Sequence, residues 1–88
     1  MRKFISKEVK FTTISTQEIK IENGNVTGVP LKDFTVIGEY SKERADKVAK
    51  KHFSGKNVVV TNVYNFSIVY RMETEKFIEM AEEVQEEE

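Results

Sequence analysis

The chain has 88 residues, 39% of them apolar and 33% charged, with no cysteine. That length supports one domain, residues 1–88, with a modest core, and the apolar share excludes a fully disordered chain. No apolar run approaches the ~20 residues of a membrane-spanning helix, and without cysteine there is no disulfide framework, thiol nucleophile or thiolate metal site. The start M-R-K-F-I-S-K-E lacks the apolar stretch of a signal peptide, so cytoplasmic residence is expected.

The formal net charge of −1 conceals an asymmetry, because Glu73 to Glu88 holds eight Glu against Lys76 alone. The positive charge collects in two places. Residues 1–10 carry Arg2, Lys3, Lys7 and Lys10 against Glu8, and residues 41–56 carry six Lys or Arg against Glu43 and Asp46. An acidic end behind a basic body is common among nucleic-acid binders, where it competes with phosphate, and also as a plain solubilising end.

Residues 1–7 form a basic N-terminal arm that reads either as a short helix, with Lys3 and Lys7 on one side, or as an extended segment. From Glu8 onward Val9, Phe11 and Thr13 alternate with Lys10 and Thr12, and Ile19 and Ile21 alternate with Glu18, Lys20 and Glu22. This is strand pattern, bent near Ser15 to Gln17 if it is a single strand. Asn23-Gly24 is the strongest short-range hairpin signal, since both residues accept the positive φ of a type I′ turn, and Val26 to Val29 is the expected return. Pro30 marks an edge, bulge or break, and Phe34 to Ile37 reads as a further strand.

The stretch from Ser41 to Lys56 predicts an amphipathic helix, with Ser41 as N-cap and Gly55 just past its end. Ala45, Val48, Ala49 and Phe53 fall on its buried face, while Arg44, Lys47 and Lys51 fall opposite, flanked by Lys50. Val58 to Val63 and Phe66 to Arg71 then predict a second hairpin, turning at Val63-Tyr64-Asn65. Thr74 predicts the N-cap of a last helix reaching Val84, with residues 85–88 a frayed acidic tail. The order β-β-(β)-α-β-β-α defines an α+β domain: a small antiparallel sheet of two hairpins with two helices on one face.

The residues give no sign of catalysis. The one histidine, His52, lacks a partner that the sequence could bring to it, and reads as a packed or half-exposed structural side chain. There is no glycine-rich phosphate loop, metal-ligand spacing or nucleophile elbow, so no enzyme, cofactor, metal or small-molecule substrate is expected. Tyr64, Phe66 and Tyr70 suit a stacking platform for single strands, but their shared parity with Ile68 fits a strand's core face more simply.

Several segments together resemble a known family. K-E-V-K-F-T-T-I, N-G-N-V before L-K-D-F-T-V-I-G, S-K-E-R-A-D-K-V-A-K-K-H-F-S-G-K-N-V-V-V and I-V-Y-R-M-E-T-E-K-F-I-E-M-A with its Glu tail are similar to the phage histone-like double-stranded DNA-binding proteins. The resemblance implies a self-associating protein that coats duplex DNA with little sequence preference, compacts it, and assists replication initiation and transcription control. It also implies that Lys3 and Lys7 enter the minor groove. Lys7 stands where the family pattern has Arg, losing the fork that suits a narrow groove. Arg2, Lys10, Lys47, Lys50 and Lys51 complete the expected DNA-binding set, and Val9 and Ala45 are the expected contacts of a homodimer or larger assembly. The alternative is a small phage protein that inhibits a host or defence protein, its acidic helix mimicking a duplex.

Overall fold

The computed structural model describes residues 2–84 and is organised on one strand, β1, Phe4–Glu22. A 19-residue strand spans roughly 60 Å, which accounts for most of the molecule's 68 Å length. Along one edge of β1 runs β4, Val58–Glu73, antiparallel from Phe4↔Glu73 to Glu18↔Val58. The other edge is shared in tandem: β3, Phe34–Ile37, pairs with residues 11–14, and β2, Asn25–Pro30, pairs with residues 17–22. Two helices, α1 at Lys42–His52 and α2 at Thr74–Met80, complete the α+β architecture with the four-stranded antiparallel sheet.

Local chemistry explains most boundaries. The β1–β2 turn places Asn23 at φ 51° and Gly24 at φ 78°, the left-handed pair that a type I′ hairpin requires. Pro30 ends β2, whose outer edge has no neighbour, so its missing N–H costs nothing. Ser41 caps α1, its hydroxyl accepting from the Arg44 amide at 3.2 Å, and Lys50 and Lys51 sit in the last turn, where cations oppose the helix dipole favourably.

The core is small and lies where α1 crosses the middle of the sheet. Ile14, Ala45, Ala49 and Val58 are buried, with Phe34, Val36, Val48, Phe53, Val60 and Val63 packed around them. The small side chains of Ala45 and Ala49 let the helix sit close over Ile14 and Val58. Beside this core the Thr12 hydroxyl lies 2.8 Å from the Gly38 carbonyl, within reach of Asn65 Oδ1, and accepts from the Tyr40 amide at 3.1 Å. Asn65 returns a bond to the Tyr40 carbonyl. This ties the β3–α1 connection to the sheet.

Two expectations are corrected. Val58 to Val63 and Phe66 to Arg71 are one continuous strand rather than a hairpin. Tyr64 and Asn65, the expected turn, pair with Thr13 and Thr12, because β1 is long enough to template the whole segment. The only irregularity is a bulge: Asn62 pairs with Ser15 and Val60 with Thr16, leaving Thr61 as the extra residue where β1 was expected to bend. The last helix also ends at Met80 rather than Val84, and its N-cap is Glu73, with no side-chain cap bond. Glu73 closes the ladder opposite Phe4 and the helix starts at Thr74, one residue earlier than a Thr74 cap implies. It buries no residue and has no cation in its last turn, so nothing favours further turns. Residues 85–88, the expected tail, lie outside the described residues.

Candidate nucleic-acid interface

β1 and β4 run beyond the core as a two-stranded ribbon, residues 4–10 against 67–73, with no third strand on either side among the described residues. The N-terminal arm is thus extended rather than helical, and from Phe4 it belongs to the sheet. Directly opposed residues of an antiparallel pair share a face, so Lys7 and Tyr70 lie on one side of the ribbon and Ser6 and Arg71 on the other.

The ribbon gathers Arg2, Lys3 and Lys7 and adds Arg71. Arg71, which sequence reasoning missed, stacks its guanidinium over the Phe4 ring at 4.7 Å. Its sequence neighbours gave no signal, since only the pairing of β4 with the start of β1 brings it there. Arg2 Nη1 contacts Glu73 Oε1 at 3.0 Å, and the Lys3 carbonyl accepts from the Thr74 amide, fastening the chain start to α2. Lys10 Nζ lies 3.3 Å from Glu39, whereas Lys3 and Lys7 have no ion-pair partner among the described residues. Exposed ion pairs of this kind are worth little and exchange readily for phosphate.

The helix cations form a separate group. Lys47 and Lys51 are exposed on α1, and Lys50 bonds Asp46 one turn back at 2.9 Å. Arg44 stacks over the Tyr40 ring at 4.2 Å. These residues lie over the middle of the sheet, on the side opposite Lys7. His52 stacks flat on Phe34 with ring centroids 4.1 Å apart, a packing role. Of the two expected self-contacts, Val9 is half-buried opposite Ile68, while Ala45 is fully covered by its own chain. Ala45 belongs to the core cluster with Ile14, Ala49 and Val58.

The aromatic row of β4 lies opposite to where its parity suggested. Because the core sits under α1, and the Thr61 bulge turns Val58, Val60 and Val63 towards it, Tyr64, Phe66, Ile68 and Tyr70 face away from the helix. Tyr64 is 60% exposed and Tyr70 51%. Phe66 stacks between Phe11 at 5.5 Å and Tyr64 at 5.6 Å. No group of three or more His, Asp or Glu side chains is placed to hold a metal ion among the described residues, and no helix there is long and apolar enough to cross a membrane.

No protein-family model matches the chain. Individual proteins do. It is 31% identical over 81 residues to histone-like protein p6 of Bacillus phage PZA, covering 92% of this chain and 84% of that protein. It is 32% identical over 83 residues to histone-like protein p6 of Bacillus phage B103, covering 92% and 83%. The double-stranded DNA-binding protein of Bacillus phage Nf is 31% identical over 83 residues, again with 92% and 83% covered. Similarity of this level along nearly the full length of both partners places the chain in the family of the phage histone-like proteins.

Proposed function

We propose that the chain is an architectural double-stranded DNA-binding protein without sequence specificity. It assembles along phage DNA in the host cytoplasm, compacts it, and assists replication initiation and transcription control. The observation that carries this reading is the similarity over 92% of the chain to proteins named histone-like and double-stranded DNA-binding. The ribbon supplies a physical site for it. Lys3, Lys7 and Arg71 stand at a narrow, protruding end with a backbone held by pairing, and such a ribbon can follow a groove while its cations neutralise phosphates. The exposed α1 lysines form a second track for the DNA backbone.

So few cations bind weakly per subunit, so affinity depends on many copies side by side. The test is titration of the protein on a duplex of a few hundred base pairs at several salt concentrations. The expected result is cooperative binding whose log affinity falls linearly with log salt and is the same for unrelated sequences. No retention on any duplex at low salt would overturn it and favour the inhibitor that mimics a duplex.

A further inference from the structure

We propose that the sheet face turned away from α1 is the surface on which a second copy of this chain docks, sheet against sheet. The inference gives the assembly named above its surface. It rests on that part of the reading alone and can fail while DNA binding stands.

The sorting of charge along β1 is the first support. Between residues 8 and 22 every ionisable side chain of β1 (Glu8, Lys10, Glu18, Lys20 and Glu22) is even-numbered and shares the parity of Ile14, the α1 side. Every odd residue from Val9 to Ile21 is uncharged, and so is every second residue of β4 from Asn62 to Ile68, the charge-free stretch ending at the Lys7–Tyr70 pair. In a chain with 33% charged residues, a face this long without one is the depletion that marks the centre of a protein interface. The face is also apolar and open: Ile37 is 74% exposed, Ile21 69% and Ile68 41%, around the Phe11–Phe66–Tyr64 stack.

Surface area is the second. The chain exposes 7666 Å², about 2,300 Å² more than the roughly 5,300 Å² expected of a folded monomer of 10.2 kDa. Its radius of gyration is 19.6 Å against about 12 Å for a compact chain of this length. Four buried apolar residues among those described are few to hold such a shape alone, and the excess is of the size that obligate homodimer interfaces bury. A second copy suits the face because an uncharged apolar surface meets itself across a two-fold axis with no unpaired charge, and two stacked sheets complete a layered core.

Ile68 and Val69 are neighbours on β4 that point to opposite faces, and Val69 is the more exposed in the single chain at 65%. Sedimentation equilibrium without DNA should find the parent protein dimeric or larger. Ile68→Lys should shift it to the 10.2 kDa monomer, while Val69→Lys leaves the assembly intact. Should Ile68→Lys fail to fold, the absence of native cysteine allows single-cysteine variants Ile68→Cys and Val69→Cys to be labelled with a maleimide. Labelling at 68 should slow as protein concentration rises, and labelling at 69 should not. A monomeric parent at high micromolar concentration overturns the proposal. So does equal labelling at both positions in a dimer, which would move the contact to the β4 edge. Quenching of tyrosine fluorescence by a single-stranded oligonucleotide in a monomeric parent, lost in Ile68→Lys, would assign the face to bases instead. Duplex retention of Ile68→Lys at low salt, measured in parallel, separates loss of assembly from loss of DNA binding.

Discussion

The two faces of the sheet invert the usual assignment of polar and apolar residues. On the side that carries α1 the central strand contributes Thr12, Ile14 and Thr16, two hydroxyls around one aliphatic side chain, and all three are buried. On the other side the same strand and β4 present phenylalanines, tyrosines and isoleucines, with Tyr64, Ile68 and Tyr70 exposed. The helix meets the sheet through alanines, so the covered face needs small, shape-matched residues rather than many apolar ones. Close approach decides the core here, and hydrophobicity alone does not.

The largest expected effect breaks the covered face. Ile14→Ala removes the largest fully buried side chain and should cost about 3 kcal/mol, read as a lower urea midpoint with little change in slope. The two buried threonines should then part company. Thr12→Val leaves the Gly38 carbonyl without the hydroxyl, while the Tyr40 amide keeps Asn65 Oδ1 at 3.2 Å, and should destabilise by about 1 kcal/mol in the same titration. Thr16 Oγ1 is buried with no hydrogen-bond partner, so Thr16→Val should be neutral or stabilising by up to about 1 kcal/mol. Equal losses at both sites would show that the Thr12 network contributes nothing particular. Ser41→Ala should cost about 1 kcal/mol through the lost α1 cap, read by thermal unfolding.

Smaller effects sharpen the contrast between ribbon and helix in DNA binding. Lys3→Ala and Lys7→Ala should each lower the salt slope of duplex binding by about one and weaken binding across all sequences, with the far-ultraviolet dichroism unchanged. Lys47→Ala, Lys50→Ala and Lys51→Ala should do less in the same gel-shift series, and removing residues 85–88 should tighten binding slightly by taking away a competing anion. Helix variants that abolish binding while ribbon variants leave the slope intact would transfer the site to α1.

Much of the fold was legible in local chemistry. Asn23-Gly24 required its turn, Ser41 its cap, and the spacing of Ala45, Val48, Ala49 and Phe53 its buried helix face, because each depends on residues within a few positions of one another. The basic start of the chain was visible as composition, and its extended form was one of two open alternatives. What sequence reading missed was non-local. A turn at Val63-Tyr64-Asn65 was plausible until a 19-residue partner paired straight through it, and a helix to Val84 was plausible without a surface to pack on.

The sequence by itself determined which residues alternate, cap, turn and carry charge, and so the α+β class and the two basic groups. Only the tertiary structure decided which parity of β1 and β4 is inside. Period-two alternation defines two faces but not their sides. The choice fell to the alanines of α1 and the bulge at Thr61, contacts made between segments far apart in the chain. Arg71 joined the ribbon for the same reason: its neighbours Ser6 and Phe4 are sixty-odd residues away in sequence and adjacent only in the ladder.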